Sequence, residues 1–203
     1  MNQTQPVTLR RADEADLDGL EQLLTGLSDL SRWFRFQTAI GTPPRPALLL
    51  RMLRPAGAAW VASRDDRTIG HAMWAWATLG VPDMVDGRVA ELAAVIADDE
   101  QGRGLGVHML AVAAADAIAS GATHFLFVVS TSNDASLRMV RRRWPDAVAE
   151  RDGGLLTFVA PARLPDQPKE SANVIHEQVR CLQGREMPAP RELRPVHDPV
   201  PTL

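Results

Sequence analysis

Apolar residues change their period several times along this chain of 203 residues, and each change marks an element. Residues 7–11 alternate as a short strand does. The acids Asp13, Glu14 and Asp16 then stand where a helix dipole favours them, and Leu17, Leu20, Leu23, Leu24 and Leu27 follow at helical spacing. A second short helix is expected over residues 31–36 and a third over 48–53, separated by Pro43, Pro44 and Pro46. Residues 58–63 and 68–78 read as two strands joined by a turn at 64–67, a hairpin. After a loop at 80–87, residues 89–96 form a mostly apolar run of strand length, the pattern of a strand buried on both faces. Residues 103–120 are helical up to Gly121, 123–129 are rich in β-formers, 133–143 are helical again, and strands near 147–150 and 154–160 close the series. The order β-α-(α)-β-β-β-α-β-α-β-β predicts a mixed α/β (α+β) fold, one sheet with helices on its faces.

Beyond Pro161 the texture changes. Eight of the 15 prolines lie between Pro161 and Pro201, mixed with Glu, Gln and Arg, a composition that buries too little apolar surface to offset its ordering entropy. Residues 1–162 therefore read as one domain and 163–203 as a proline-rich tail, either disordered or docked as an arm. Residues 173–182 could form a short amphipathic segment that docks on the domain or a partner. The formal net charge of -3 leaves no footprint for nucleic acid or anionic lipid. No apolar run reaches the roughly 20 residues that span a membrane, and the first six residues lack the apolar core of a signal peptide. The single cysteine, Cys181, excludes an intramolecular disulfide framework and points to a reduced, cytoplasmic setting. Tyrosine is absent from the chain.

The chemistry concentrates in Gln101-Gly102-Arg103-Gly104-Leu105-Gly106. A buried strand ends, a polar link turns, and three glycines open a helix. Glycine permits positive φ and lets a ligand approach the backbone. The first N–H groups of the helix lack internal acceptors, and its dipole adds partial positive charge. Such a loop suits a pyrophosphate. A Walker loop would need Gly-Lys-Ser/Thr, which is missing. The dinucleotide fingerprint needs Gly-x-Gly-x-x-Gly in a parallel β-α-β unit, whereas these glycines run Gly-x-Gly-x-Gly behind a hairpin. A ligand-free glycine-rich helix cap is the remaining reading.

Gln101-x-x-Gly104-x-Gly106 followed by Leu110 resembles motif A of the GNAT superfamily of N-acetyltransferases. The run Val89-Ala90-Glu91-Leu92-Ala93-Ala94-Val95-Ile96 looks like that family's central strand, and Asn133-Asp134-Ala135-Ser136-Leu137 like the start of its next helix. The resemblance implies a mostly antiparallel central sheet flanked by helices, and acetyl-coenzyme A as co-substrate without a metal. It places the pantetheine arm against the backbone of Ala94, Val95 and Ile96. The pyrophosphate falls on the loop amides of Gln101, Gly102, Arg103, Gly104, Leu105, Gly106 and Val107, with Arg103 as a cation, and the coenzyme arm falls beside Asn133. Asn133 reads equally as a helix N-cap. Arg138, Arg141, Arg142 and Arg143 are either a solvated face or contacts to the adenosine end.

Acetyl transfer to an amine needs a neutral nucleophile, a donor for the oxyanion and a proton for the thiolate. Glu91 is the candidate base: it is the one acid in residues 89–96, its burial would need a partner or a function, and its position resembles the catalytic glutamate of bacterial GNAT protein-lysine acetyltransferases. It could instead point outward or pair with Arg88. A backbone N–H at Val95 or Ile96 is the candidate oxyanion donor. The family's tyrosine, seven residues after the asparagine, is replaced by Val140, and its Gly-Phe by Trp144-Pro145.

For the acceptor, Leu27-Ser28-Asp29-Leu30-Ser31-Arg32-Trp33-Phe34-Arg35-Phe36 resembles the Ser-x-x-Ser-x-x-x-Arg-Phe segment of those lysine acetyltransferases. Trp33, Phe36, Trp74 and Trp76 are candidates for the acceptor pocket or for core. His71 could be a second base, and Asp83 and Asp86 could attract a cation. The expected reaction is acetylation of a primary amine, on a small molecule or a protein lysine, and the expected alternative is a non-catalytic acyl-coenzyme A-binding regulatory module. The proline-rich arm and the tryptophans also admit a homodimer.

Overall fold

The computed structural model describes residues 6–78 and 87–164. Asp83, Asp86, Cys181 and the segment 173–182 lie outside the described residues. Seven strands form one sheet in the order β1-β2-β3-β4-β5-β7-β6. They are β1 (Thr8–Arg11), β2 (Gly57–Arg64), β3 (Arg67–Trp76), β4 (Val89–Ile96), β5 (His124–Ser130), β6 (Val148–Asp152) and β7 (Leu155–Pro161). Every neighbouring pair is antiparallel except β4 and β5, which run parallel. Five helices accompany them: α1 (Leu17–Gly26), α2 (Asp29–Phe36), α3 (Pro46–Leu53), α4 (Leu105–Ala119) and α5 (Asp134–Arg143). This is the mixed sheet with flanking helices that the hydrophobic pattern predicts, and the mostly antiparallel pairing that the resemblance implies.

Local chemistry sets the boundaries. Asp65 and Asp66 both have positive φ (51° and 61°), the type I′ geometry that joins two twisted strands in two residues. Pro46 sits in the first turn of α3, where its missing N–H costs nothing. α2 begins at Asp29, earlier than the apolar pattern indicates, because the Ser28 side chain caps it by accepting from the Ser31 N–H. α4 begins at Leu105 and not at 103, because Gly104 holds a left-handed φ of 84°.

One core runs through both faces of the sheet. His71, Met73 and Ala75 of β3 stand opposite Val95, Ala93 and Glu91 of β4, so these six share a face. α3 covers part of that face, since the Met52 carbonyl lies 3.2 Å from His71 Nε2. Trp74 is on the other face, where its indole donates to Asp116 of α4 at 2.8 Å. Beyond α5, Trp144 packs on Phe127 with ring centroids 4.6 Å apart and is 1% exposed. It fills the core where the family pattern has Gly-Phe.

Candidate active site

The site begins with a fork in the sheet. β4 and β5 pair only at Val89–His124, Ala90–Phe125 and Glu91–Leu126. Beyond Glu91 they part, while β4 stays paired with β3 as far as Ile96 and β5 with β7 as far as Ser130. The register of β4 against β3 does not shift, and the Val89 carbonyl and the Ala97 N–H both bond to the β3 side. By alternation, the backbone groups of Val95 are spent on β3, and those of Leu92, Ala94 and Ile96 face the gap. Of the expected backbone contacts, Ala94 and Ile96 therefore have groups to offer and Val95 does not. The correction follows from strand parity.

A cleft of about 720 Å³ fills the fork. Glu91 to Ile96 of β4 form one wall, Phe127 to Val129 of β5 another, and the starts of α4 and α5 close its ends. α2 lies across it as a strut tied at both ends. At its start, Asp98 accepts from the Ser28 N–H (2.7 Å), the Ser31 hydroxyl (2.5 Å) and Gln101 Nε2 (2.9 Å). Burial pushes the Asp98 carboxyl up, but hydrogen bonds from Ser31 and Ser28 outweigh it and hold the group below its ordinary range. At the other end Gln37, left-handed at φ 53°, donates to the Val128 carbonyl at 3.3 Å.

The glycine loop is built for an anion. Gly102 and Gly104 have positive φ (75° and 84°). A Cβ on Gly106 would approach Ile96 at 3.5 Å. No side chain caps α4 and no acid stands in its first turn, so the opening N–H groups are left to a ligand. Gln101, Gly102, Gly104, Leu105, Gly106 and Val107 all line the cleft. Gln101 also donates to the Ile96 carbonyl at 3.0 Å, tying loop to strand. Arg103 does not line the cleft; it donates to Glu100 at 3.2 Å, and Glu100 also pairs with Arg64.

Asn133 combines both of its expected roles: Oδ1 accepts from the Ser136 N–H at 3.1 Å, capping α5, and the residue lines the cleft. Glu91 lines the cleft where the strands part and is exposed, not buried as an apolar run implies. Its position on the forked face opens it to the cleft. Phe36 lines the cleft too, whereas Trp33 is 49% exposed on the outer side of α2 and lies outside it. Trp74 and Trp76 stack edge to face 4.9 Å apart and do not line the cleft. Trp74 is core, and the Arg88 guanidinium sits 3.8 Å from the ring centre of Trp76, so Arg88 is engaged there and not with Glu91.

His71 is fully buried and lies outside the cleft lining, so it is not a second base. Burial and the neighbouring Arg35 charge push it down to about 3. Val140, where the family has tyrosine, is 1% exposed and supplies no acid. Arg138, Arg141 and Arg142 are exposed, and none of the four α5 arginines lines the cleft. Sequence reasoning gave no role to Asp98 and Gln37, and to Arg35 only its place in the segment 27–36. Their partners lie tens of residues away, and only the helical spacing of Ser28, Ser31 and Arg35 hinted at a common face.

Among the described residues, no group of three or more His, Cys, Asp or Glu could hold a metal, and no helix is long and apolar enough to cross a membrane. The model of the Acetyltransferase (GNAT) family matches residues 27–143. A search of the curated proteins found no match. Among solved structures, the GNAT domain of S. lividans PAT superposes with a TM-score of 0.63 at 20% identity, covering 76% of this chain and 90% of that one. An acetyltransferase from Salmonella typhimurium, yncA, solved with its cofactor acetyl-CoA, gives 0.55 at 19% identity over 81% and 98%. The ribosomal-protein-alanine N-acetyltransferase from Brucella melitensis gives 0.56 at 19% over 77% and 99%. At these identities the likeness is one of fold.

Proposed function

The chain belongs to the GNAT family of acetyltransferases and is an acyltransferase; from that premise we propose that it moves an acetyl group from acetyl-coenzyme A to a primary amine, on a small molecule or a protein lysine, by direct attack in a ternary complex. The observation that carries this reading is the fork. It leaves the β4 groups of Leu92 and Ala94 and the Ile96 N–H without a strand partner on the cleft side, the Ile96 carbonyl being taken by Gln101, next to an uncapped α4 N-terminus. That combination fits a long ligand with an amide-rich arm and a pyrophosphate. Gln101 to Val107 and Asn133 would hold it, and Arg103, engaged by Glu100, contributes through the loop backbone. When bound, the coenzyme supplies an activated thioester.

Glu91 takes one proton from the acceptor's ammonium group, freeing its lone pair. The C–N bond then forms as the C–S bond breaks, and the Ile96 N–H, which strand parity turns toward the cleft, donates to the developing oxyanion. The nitrogen's second proton ends on the thiolate through water in the cleft, since Val140 carries none. Glu91→Gln keeps shape and removes the base. Coenzyme A release should fall on the order of 10²- to 10⁴-fold, while calorimetric binding of acetyl-coenzyme A persists. Unchanged turnover in that variant removes Glu91 from the mechanism.

A further inference from the structure

The cleft contains two opposite charges that do not neutralise each other. Glu91 is exposed on β4. Arg35 lines the same cleft from α2 and lies close enough for Glu91 to raise its pKa, against a larger lowering by burial, yet no ion pair joins them. Among the described residues, Arg35 Nη2 donates only to the Met73 sulfur at 3.5 Å, its guanidinium sits 5.1 Å from the Phe36 ring centre, and its buried Nε has no hydrogen-bond partner. The rest of the segment is accounted for: Ser28 caps α2, Ser31 bonds to Asp98, and Arg32 bonds to the Leu27 carbonyl at 2.5 Å and pairs with Asp29. Arginine stays charged at any working pH, and a half-buried guanidinium whose buried Nε has no acceptor is costly. A partner is missing.

Position says whose partner it is. Arg35 lies one turn beyond Ser31, about 6 Å further along α2, away from the glycine loop and on the cleft that Glu91 lines at the fork. An anion there belongs to the acceptor and not to the coenzyme. A planar, forked donor matches a carboxylate with two parallel bonds. We propose that Arg35 is a specificity-determining residue that receives the carboxylate of a zwitterionic acceptor, so that the substrate class is a free α-amino acid or a similar compound with an amine beside a carboxylate. The cation of that zwitterion turns to Glu91 and its anion to Arg35. This inference rests on the acetyl-transfer reading of the cleft.

The test compares free amino acids with their carboxamides as acceptors, by coenzyme A release, in wild type, Arg35→Gln and Arg35→Lys. Wild type should prefer the acid over its amide by on the order of tenfold or more in kcat/KM. The ratio should approach one in Arg35→Gln and recover in part in Arg35→Lys. The ratio is taken within each protein, so loss of folded material does not blur it. A wild-type ratio near one, or a ratio that Arg35→Gln leaves intact, overturns the proposal; the second result would mean that Arg35 serves only to hold Glu91. If coenzyme A binds but no amine is acetylated, it is the transfer reading that fails. In that event, free amino acids should still raise the Tm of wild type and not of Arg35→Gln, and no such difference overturns the carboxylate site.

Discussion

His71 gives the fold a stability that vanishes in acid. Its Nε2 faces the Met52 carbonyl at 3.2 Å, so the proton sits there, and Nδ1 is buried without a partner. A second proton would create a buried N–H with no acceptor, close to the Arg35 charge. The folded group is accordingly held down to about 3, against an ordinary 6.5. Because the folded value is the lower one, the unfolded chain binds more protons between the two. The contribution is whole above pH 6.5 and is lost as pH falls. One pH unit is worth about 1.36 kcal/mol, so at pH 5 wild type has lost roughly 2 kcal/mol relative to pH 8. His71→Gln keeps an amide donor for Met52 and has nothing to titrate. Urea unfolding of both proteins at pH 8 and pH 5 should show wild type losing about 2 kcal/mol more than the variant across that interval, whatever their difference at pH 8. Parallel pH dependence in the two proteins would refute the buried, neutral imidazole.

Three further outcomes follow from the geometry. Gly104→Val forces a β-branched residue to φ 84°, a strain of about 1–3 kcal/mol, and should weaken calorimetric coenzyme A binding by tenfold or more. Gly106→Ala adds a Cβ at an ordinary 3.5 Å from Ile96; its Tm should match wild type while coenzyme A binding falls, because the methyl occupies the approach to the helix N-terminus. Asp98→Ala removes the shared acceptor of Ser28, Ser31 and Gln101. At a net value of about 1 kcal/mol per hydrogen bond, KM for acetyl-coenzyme A should rise severalfold in steady-state assays, with kcat less affected.

What the chain reveals to a reader of its sequence is local. The period of Leu17, Leu20, Leu23 and Leu24 gives α1, the apolar run gives β4, and the glycine spacing gives the loop, because each depends on neighbours a few residues apart. The fork is not legible: nothing in residues 89–96 says that pairing with β5 stops after Glu91, since that register joins strands 35 residues apart (Glu91 and Leu126). The exposure of Glu91 follows from the same fork, so an apolar run misleads about its one acid. Strand alternation puts Trp74 and Trp76 on one face. Only Asp116, far along the chain, tells that Trp74 faces α4 and not a ligand. Asp98 escaped notice, and Arg35 was seen only as part of the segment 27–36, because their meaning lies in contacts with segments folded against them.

The strut α2 has a thermodynamic character of its own. None of its eight residues is buried, and Leu30 and Trp33 are 59% and 49% exposed. Its attachment rests on the hydrogen bonds at its two ends, on Arg35 reaching inward and on the half-buried Phe36 against the core. The energy needed to detach it is therefore a small fraction of that for unfolding the sheet. The helix that closes the cleft can therefore lift on a timescale separate from global unfolding.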